Sequence, residues 1–86
     1  MYEVAWTSPA RRDMARLPAR VATVILTYVD QRLADQPYLL SKPLQHLLEG
    51  QRSARAGDYR VLFRIDEPAR RLVITRVDHR AHVYRP

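Results

Sequence analysis

The sequence predicts a small α+β domain in which an N-terminal strand and two helices pack on one face of a mainly antiparallel sheet. Three features predict it. Residues 59–65 carry an apolar side chain at every second position, with Arg60 and Arg64 between them, over the length of a strand. Apolar residues recur at spacings of three and four between Val21 and Leu33, the period of a helix with one buried stripe. Finally, 86 residues with 47% hydrophobic content, 2 Gly and 6 Pro are enough for one core and too few for two. Residues 1–86 therefore read as a single domain in the order β-α-α-β-β-β, with a further short strand as an option at the end.

Each element has a local reason. Tyr2, Val4 and Trp6 alternate with Glu3, Ala5 and Thr7, as in a strand with one buried face. Ser8-Pro9 offers an N-cap and a first-turn proline for a helix through Ala10 to Arg16. Leu17-Pro18 ends it, and Pro18 suits the first turn of a second helix. The stripe of that helix is Val21, Val24, Ile25, Tyr28 and Leu33, and a sheet face is its expected partner. From Gln36 to Gly50 the pattern is weak: Pro43 interrupts, and Leu44, Leu47 and Leu48 suggest a short helical turn that anchors a loop. Alternation returns at Asp58, with Tyr59, Val61, Phe63 and Ile65 on one side and Arg60, Leu62 and Arg64 on the other, the pattern of a central antiparallel strand. Ser53 to Ala56 should pair with it across Gly57-Asp58. Residues 66–70 form a turn into Arg71 to Val77, rich in β-branched residues, and Ala81 to Tyr84 continues that strand or makes the last one.

Composition excludes several functions. With no cysteine, disulfides, thiolate metal sites and cysteine nucleophiles are absent. His46, His79 and His82 lack a clear ligand spacing with carboxylates, so neither a metal nor another cofactor is expected. The longest apolar run, Val21 to Val29, is nine residues, far short of the roughly 20 that cross a bilayer. Met1-Tyr2-Glu3-Val4 has no features of a secretory leader, so a cytoplasmic protein with no membrane partner is expected. The charge is the informative quantity. Fifteen Lys+Arg against nine Asp+Glu give +6, of which residues 51–86 hold +5 (nine basic, four acidic). Polyanions are the expected partners of such a chain, at its C-terminal half.

With the apolar side of residues 58–66 against the helices, Arg60 and Arg64 are turned to the other face. If the tail is extended, Arg80, His82 and Tyr84 share one side: a cation, an imidazole and a phenol. Cleavage of RNA by its own 2′-hydroxyl uses such groups. One must take or steer the proton, cations must bear charge on the phosphate, and another must assist the leaving 5′-oxygen. Arg52, Arg55, Arg64, Arg76 and His79 are candidates for holding the substrate. Strand-face arginines such as Arg64, Arg70, Arg71 and Arg76 more often pair with neighbours such as Asp58 or Asp66. On the residues alone, the reading is a basic, open-faced α+β domain that binds a polyanion.

Three stretches carry a resemblance: Arg55-Ala56-Gly57-Asp58-Tyr59-Arg60-Val61-Leu62-Phe63-Arg64-Ile65, Val73-Ile74-Thr75-Arg76-Val77-Asp78-His79-Arg80, and Val83-Tyr84-Arg85. With Ala10-Arg11-Arg12-Asp13, Lys42-Pro43-Leu44 and Leu48-Glu49-Gly50 upstream, they resemble the RelE branch of the RelE/ParE toxin superfamily of type II toxin–antitoxin modules. The resemblance implies an mRNA interferase that enters the A site of the 70S ribosome and cuts mRNA there. It also implies a cognate antitoxin of the RelB/Phd-like kind, whose acidic segment wraps the toxin. It assigns Arg60 to the scissile phosphate, Arg80 to transition-state charge or the leaving group, and Tyr84 to the substrate near the attacking hydroxyl. Where well-studied members carry a lysine pair before the central strand, this chain reads Gln51-Arg52-Ser53-Ala54-Arg55. An arginine stays charged at neutral pH and makes no base. Proton transfer then falls to Tyr84, whose phenol has a reference pKa of about 10, or to His82, at about 6.5. Asp78, beside His79, stands where many members have glycine and lysine, and is expected to orient a histidine or hold an arginine. Two other functions compete: a ParE-like gyrase inhibitor of the same fold, and a basic RNA- or ribosome-binding domain that cuts nothing.

Overall fold

The computed structural model describes residues 1–79. Strand β1 (Glu3–Trp6) leads into helices α1 (Ser8–Ala15) and α2 (Ala19–Tyr28), the latter extended by a π-helical turn (Val29–Leu33). Then follow β2 (Ser41–Pro43), a 3-10 turn (His46–Leu48), β3 (Arg52–Ala56), β4 (Tyr59–Asp66) and β5 (Arg71–His79). The sheet order is β1-β5-β4-β3-β2, with β1 parallel to β5 and every other pair antiparallel. This is the expected small α+β domain on a mixed, mainly antiparallel sheet. Among the described residues no helix is long and apolar enough to cross a membrane.

The core lies between helices and sheet. Ile25, Val29 and Leu33 meet Val61 and Phe63 of β4 and Leu72, Ile74 and Val77 of β5, all essentially without solvent contact. The inward stripe of α2 differs from expectation at one position: Val24 is 61% exposed, and Val29 takes its place. Val21, Ile25 and Val29 follow one another at intervals of four. The wider turn beyond them, in which the Ala34 N–H bonds the Val29 carbonyl at 2.9 Å, brings Leu33 and Ala34 inward together. The cap of α1 is Thr7, one residue earlier than the expected Ser8. The Thr7 hydroxyl accepts from the Ala10 N–H at 3.3 Å and donates to the Ile74 carbonyl at 2.9 Å, so the same group starts the helix and ties it to β5. Pro18 is likewise the cap of α2 and precedes its first turn. The expected helical turn is present as the 3-10 turn, but β2 is a strand where a loop was expected. Three residues ending in proline carry no alternation, and proline is tolerated because β2 is an edge strand.

One irregularity decides which side chains share a face. Leu62 lies opposite Arg76 and Phe63 opposite Ile74, so Thr75 is an extra residue on β5. The buried positions of β5 are consequently 72, 74 and 77. Beyond the bulge the alternation changes phase: Val77 faces the helices, while Arg76 and Asp78 join the face of Leu62 and Arg60. The Thr75 hydroxyl is held by the Leu62 carbonyl at 3.1 Å and by the Gln51 side chain.

At one end of the sheet, the Glu67 carboxylate accepts hydrogen bonds from the hydroxyls of Tyr2 (2.8 Å) and Tyr38, while the Arg70 guanidinium lies 4.0 Å from the centre of the Tyr2 ring. The Tyr38 bond, followed by the Tyr2 bond, holds Glu67 below its ordinary value of 4.5. The same bonds raise both phenols above 10.0. A lowered carboxylate stabilises the fold above its unfolded value and loses that contribution as pH falls. Raised phenols contribute below their unfolded value and lose it as pH rises. The thermal midpoint should therefore be flat near neutrality and fall at both extremes. In Glu67→Gln the acid limb should be shallower, and superimposable wild-type and variant profiles between pH 3 and 7 would remove this clasp from the account.

Candidate active site

The β3–β4 hairpin turns through Gly57-Asp58, with Gly57 at φ 62°, the positive φ that glycine supplies at the first position of a two-residue hairpin loop. That turn sets the register in which Arg55 lies directly opposite Arg60. The two arginines share the face turned from the helices, with Leu62 and Ser53 as the next pair along it. Like charges placed opposite one another destabilise a sheet. Arg55 is exposed, and its Nε donates to the Gly57 carbonyl at 3.0 Å. Arg60 is half-buried, and its Nη1 is inaccessible to solvent and has no hydrogen-bond partner among the described residues. A buried charged donor left unpaired is costly, and an arginine has no neutral form to retreat to.

Both side chains line a cleft of about 650 Å³. Ser41, Lys42 and Ser53 complete its polar part, and Leu39, Leu40, Pro43, Leu44 and Tyr28 supply an apolar side. Across the sheet from Arg60, on β5, lies Asp78, whose Oδ1 accepts the His79 N–H at 2.8 Å. Two guanidinium groups and an ammonium lining one cleft suit a phosphate group.

Nearly the whole chain carries a kinship. Residues 4–84 match the family described as the ParE toxin of type II toxin–antitoxin systems, parDE. Toxin RelG of Mycobacterium tuberculosis is 44% identical over 84 residues, covering 98% of this chain and 97% of RelG. The chain belongs to the RelE/ParE toxin superfamily. Toxin RelE of the same organism is 43% identical, over 98% of this chain and 87% of that one. The crystal structure of the M. tuberculosis toxin–antitoxin complex RelBE2 contains a similar fold, with a TM-score of 0.87 at 42% identity, covering 91% of this chain and 96% of that one.

The residues expected to serve this RelE/ParE toxin are divided by the strand register. Arg55 and Arg60 meet at the cleft, and Arg64 is exposed two positions further along the same face. Arg76 shares that face, but its guanidinium is committed to α1. Its Nε donates to Asp13 Oδ2 at 2.8 Å, and the Asp13 bond, with Asp78 adding a weaker attraction, raises the Arg76 pKa. Arg52 and His79 lie on the opposite side. Arg52 is paired with Phe63, and His79 with Tyr59, whose ring its own meets edge-on at 5.5 Å. Their charge pointed to substrate, whereas register and bulge decide their facing. Arg80, His82 and Tyr84 lie outside the described residues.

Two residues of consequence carried little sequence signal. Lys42 is the sole lysine and is placed at the cleft by the short β2. Asp13 reads as an ordinary helix-surface charge yet is buried. Arg52, for its part, braces the cleft wall of the toxin. Its Nε donates to Ser41 Oγ at 2.7 Å, its Nη2 reaches the Ser41 carbonyl at 3.2 Å, and its guanidinium lies 5.1 Å from the Tyr38 ring centre. Arg52→Lys keeps the charge and loses the fork, and should lower stability by about 1–2 kcal/mol. An unchanged urea midpoint would mean that the fork holds nothing.

Proposed function

We propose that this toxin is a ribosome-dependent mRNA endoribonuclease that cuts mRNA in the A site, inhibits translation, and is neutralised by a cognate antitoxin. The observation that carries the reading is the pairing of Arg60 with Arg55 across β3 and β4 at a cleft that also holds Lys42. Such an arrangement is built for an anion whose charge grows during reaction. The substrate 2′-oxygen attacks the adjacent phosphorus as its proton leaves. The bond from phosphorus to the 5′-oxygen breaks, a 2′,3′-cyclic phosphate forms, and the departing 5′-oxygen takes up a proton. Arg60, with Arg55, bears charge on the non-bridging oxygens. Arg80 acts on the transition state or leaving group, and Tyr84 or His82 handles the proton. Arg64 extends the cationic track along the strand face.

RelG and RelE, at 44% and 43% identity, support the toxin class, and the RelBE2 complex supports an antitoxin partner by analogy. A +6 charge fits an acidic antitoxin segment that folds on binding. Such a toxin acts in the cytoplasm. The family description names ParE, so gyrase inhibition is the second reading. Translating ribosomes with added protein, mapped by primer extension, separate them. Codon-positioned cuts support the proposal, intact mRNA with stalled gyrase supports the second reading, and intact mRNA with active gyrase supports a non-cleaving binder. Cleavage of naked RNA at a comparable rate would argue against ribosome dependence. His82→Ala or Tyr84→Phe should lower cleavage at least about tenfold, since general acid–base groups contribute about 10²–10⁴.

A further inference from the structure

We propose that the apolar wall of the Arg55–Arg60 cleft seats one nucleobase of the substrate, so that the site selects the base beside the phosphate it holds. This inference rests on the RNA-cleaving reading above. The cleft has two chemically distinct parts. Lys42, Arg55 and Arg60 are sufficient for a phosphate, yet the cavity continues along Leu39, Leu40, Pro43, Leu44 and Tyr28. At about 650 Å³ it falls in the range of pockets that enclose an organic ligand. Leu39 is 76% exposed within this apolar wall, the condition of a surface that gains by being covered. Tyr28 adds an aromatic side chain, half-buried and packed against the core.

An unpaired base has this complementary form. Its faces are apolar and polarizable, and it is joined through a sugar to a phosphate, so it fits a wall of leucines and a tyrosine beside a cationic floor. The wall is also fixed in place. The Ser41 hydroxyl donates to the Pro37 carbonyl at 2.5 Å while accepting from Arg52. The Leu40 N–H bonds the Gln36 carbonyl at 3.1 Å, and the Leu44 N–H bonds the Gln51 carbonyl at 2.9 Å. A wall ordered before the ligand arrives spends little binding free energy on ordering. Stacking strength grows with ring area, so purines should be favoured over pyrimidines.

The test is a titration of the full chain, followed by NMR, with inorganic phosphate and with the 3′- and 5′-monophosphates of adenosine and uridine. At least one adenosine monophosphate should bind about fivefold or more tighter than phosphate, the low end of base stacking, and tighter than its uridine counterpart. Leu39→Ser, at an exposed position, and Tyr28→Leu should each reduce that advantage at least twofold while leaving phosphate affinity unchanged. Arg60→Met should weaken phosphate and nucleotide alike. Equal or undetectable binding of phosphate and nucleotides, or an advantage intact in both wall variants, overturns the inference. A nucleotide advantage in a protein that leaves ribosome-bound mRNA uncut would sustain the base seat and refute the nuclease reading.

Discussion

Replacing Arg60 by methionine should yield a toxin that is more stable and has lost most of the cleavage activity proposed for it. The buried Nη1 has no partner among the described residues, and an unsatisfied buried donor costs about 1–3 kcal/mol, more when charged. Methionine keeps an unbranched stem of similar reach, removes the donor, and relieves the like-charge contact with Arg55 across the β3–β4 pair. A gain of about 1–3 kcal/mol in urea unfolding, with m unchanged, is the expected result. In the cleavage assay the loss should be about 10²–10³, as for removal of one transition-state donor. Arg60→Lys should fall between, retaining the charge without the planar fork. A clearly destabilised methionine variant would show that Nη1 is satisfied in solution, and a fully active one would show that Arg60 does not hold the phosphate.

The second large effect is at Asp13, where Asp13→Ala should cost about 2–4 kcal/mol. Its carboxylate is 6% exposed and accepts two bonds of 2.8 Å, from Arg76 Nε and from the Val77 N–H. The Val77 amide lies just beyond the reach of β1, which pairs with β5 only from Arg71 to Ile74. Asp13 thus supplies to the edge of β5 what a neighbouring strand would otherwise provide. Removing it strands a buried N–H and a half-exposed guanidinium together, at about 1–3 kcal/mol for hydrogen bonds of this kind. Asparagine keeps one acceptor oxygen and should lose about half as much. Arg76→Ala leaves the Val77 bond in place and should cost less than Asp13→Ala. Equal losses for the two would show that the amide bond is worth nothing.

What could be read from the residues follows physical lines. The β4 pattern is legible because Tyr59, Val61, Phe63 and Ile65 recur at every second position, and it alone turns Arg60 and Arg64 away from the helices. Both helices announced themselves through their prolines and spacing. Facing on β5 was illegible, because one inserted residue leaves composition and propensity untouched while changing every later side. Arg52 could not be placed either, since its side depends on the register with Phe63, which the Gly57 turn determines. β2 is too short to have a period. Asp13 stands among Arg11, Arg12 and Arg16 on a short helix, and its burial follows from how α1 docks on β5.

The extra residue at Thr75 works as a parity switch. Deleting that one uncharged threonine would leave the net charge at +6 and every arginine present. Yet within β5, Arg76 and Asp78 would change places with Val77 and His79 between the wet face and the dry one. Two chains with the same charge inventory would then present different surfaces to a phosphate, so in this toxin the count of residues along β5 matters as much as their kind.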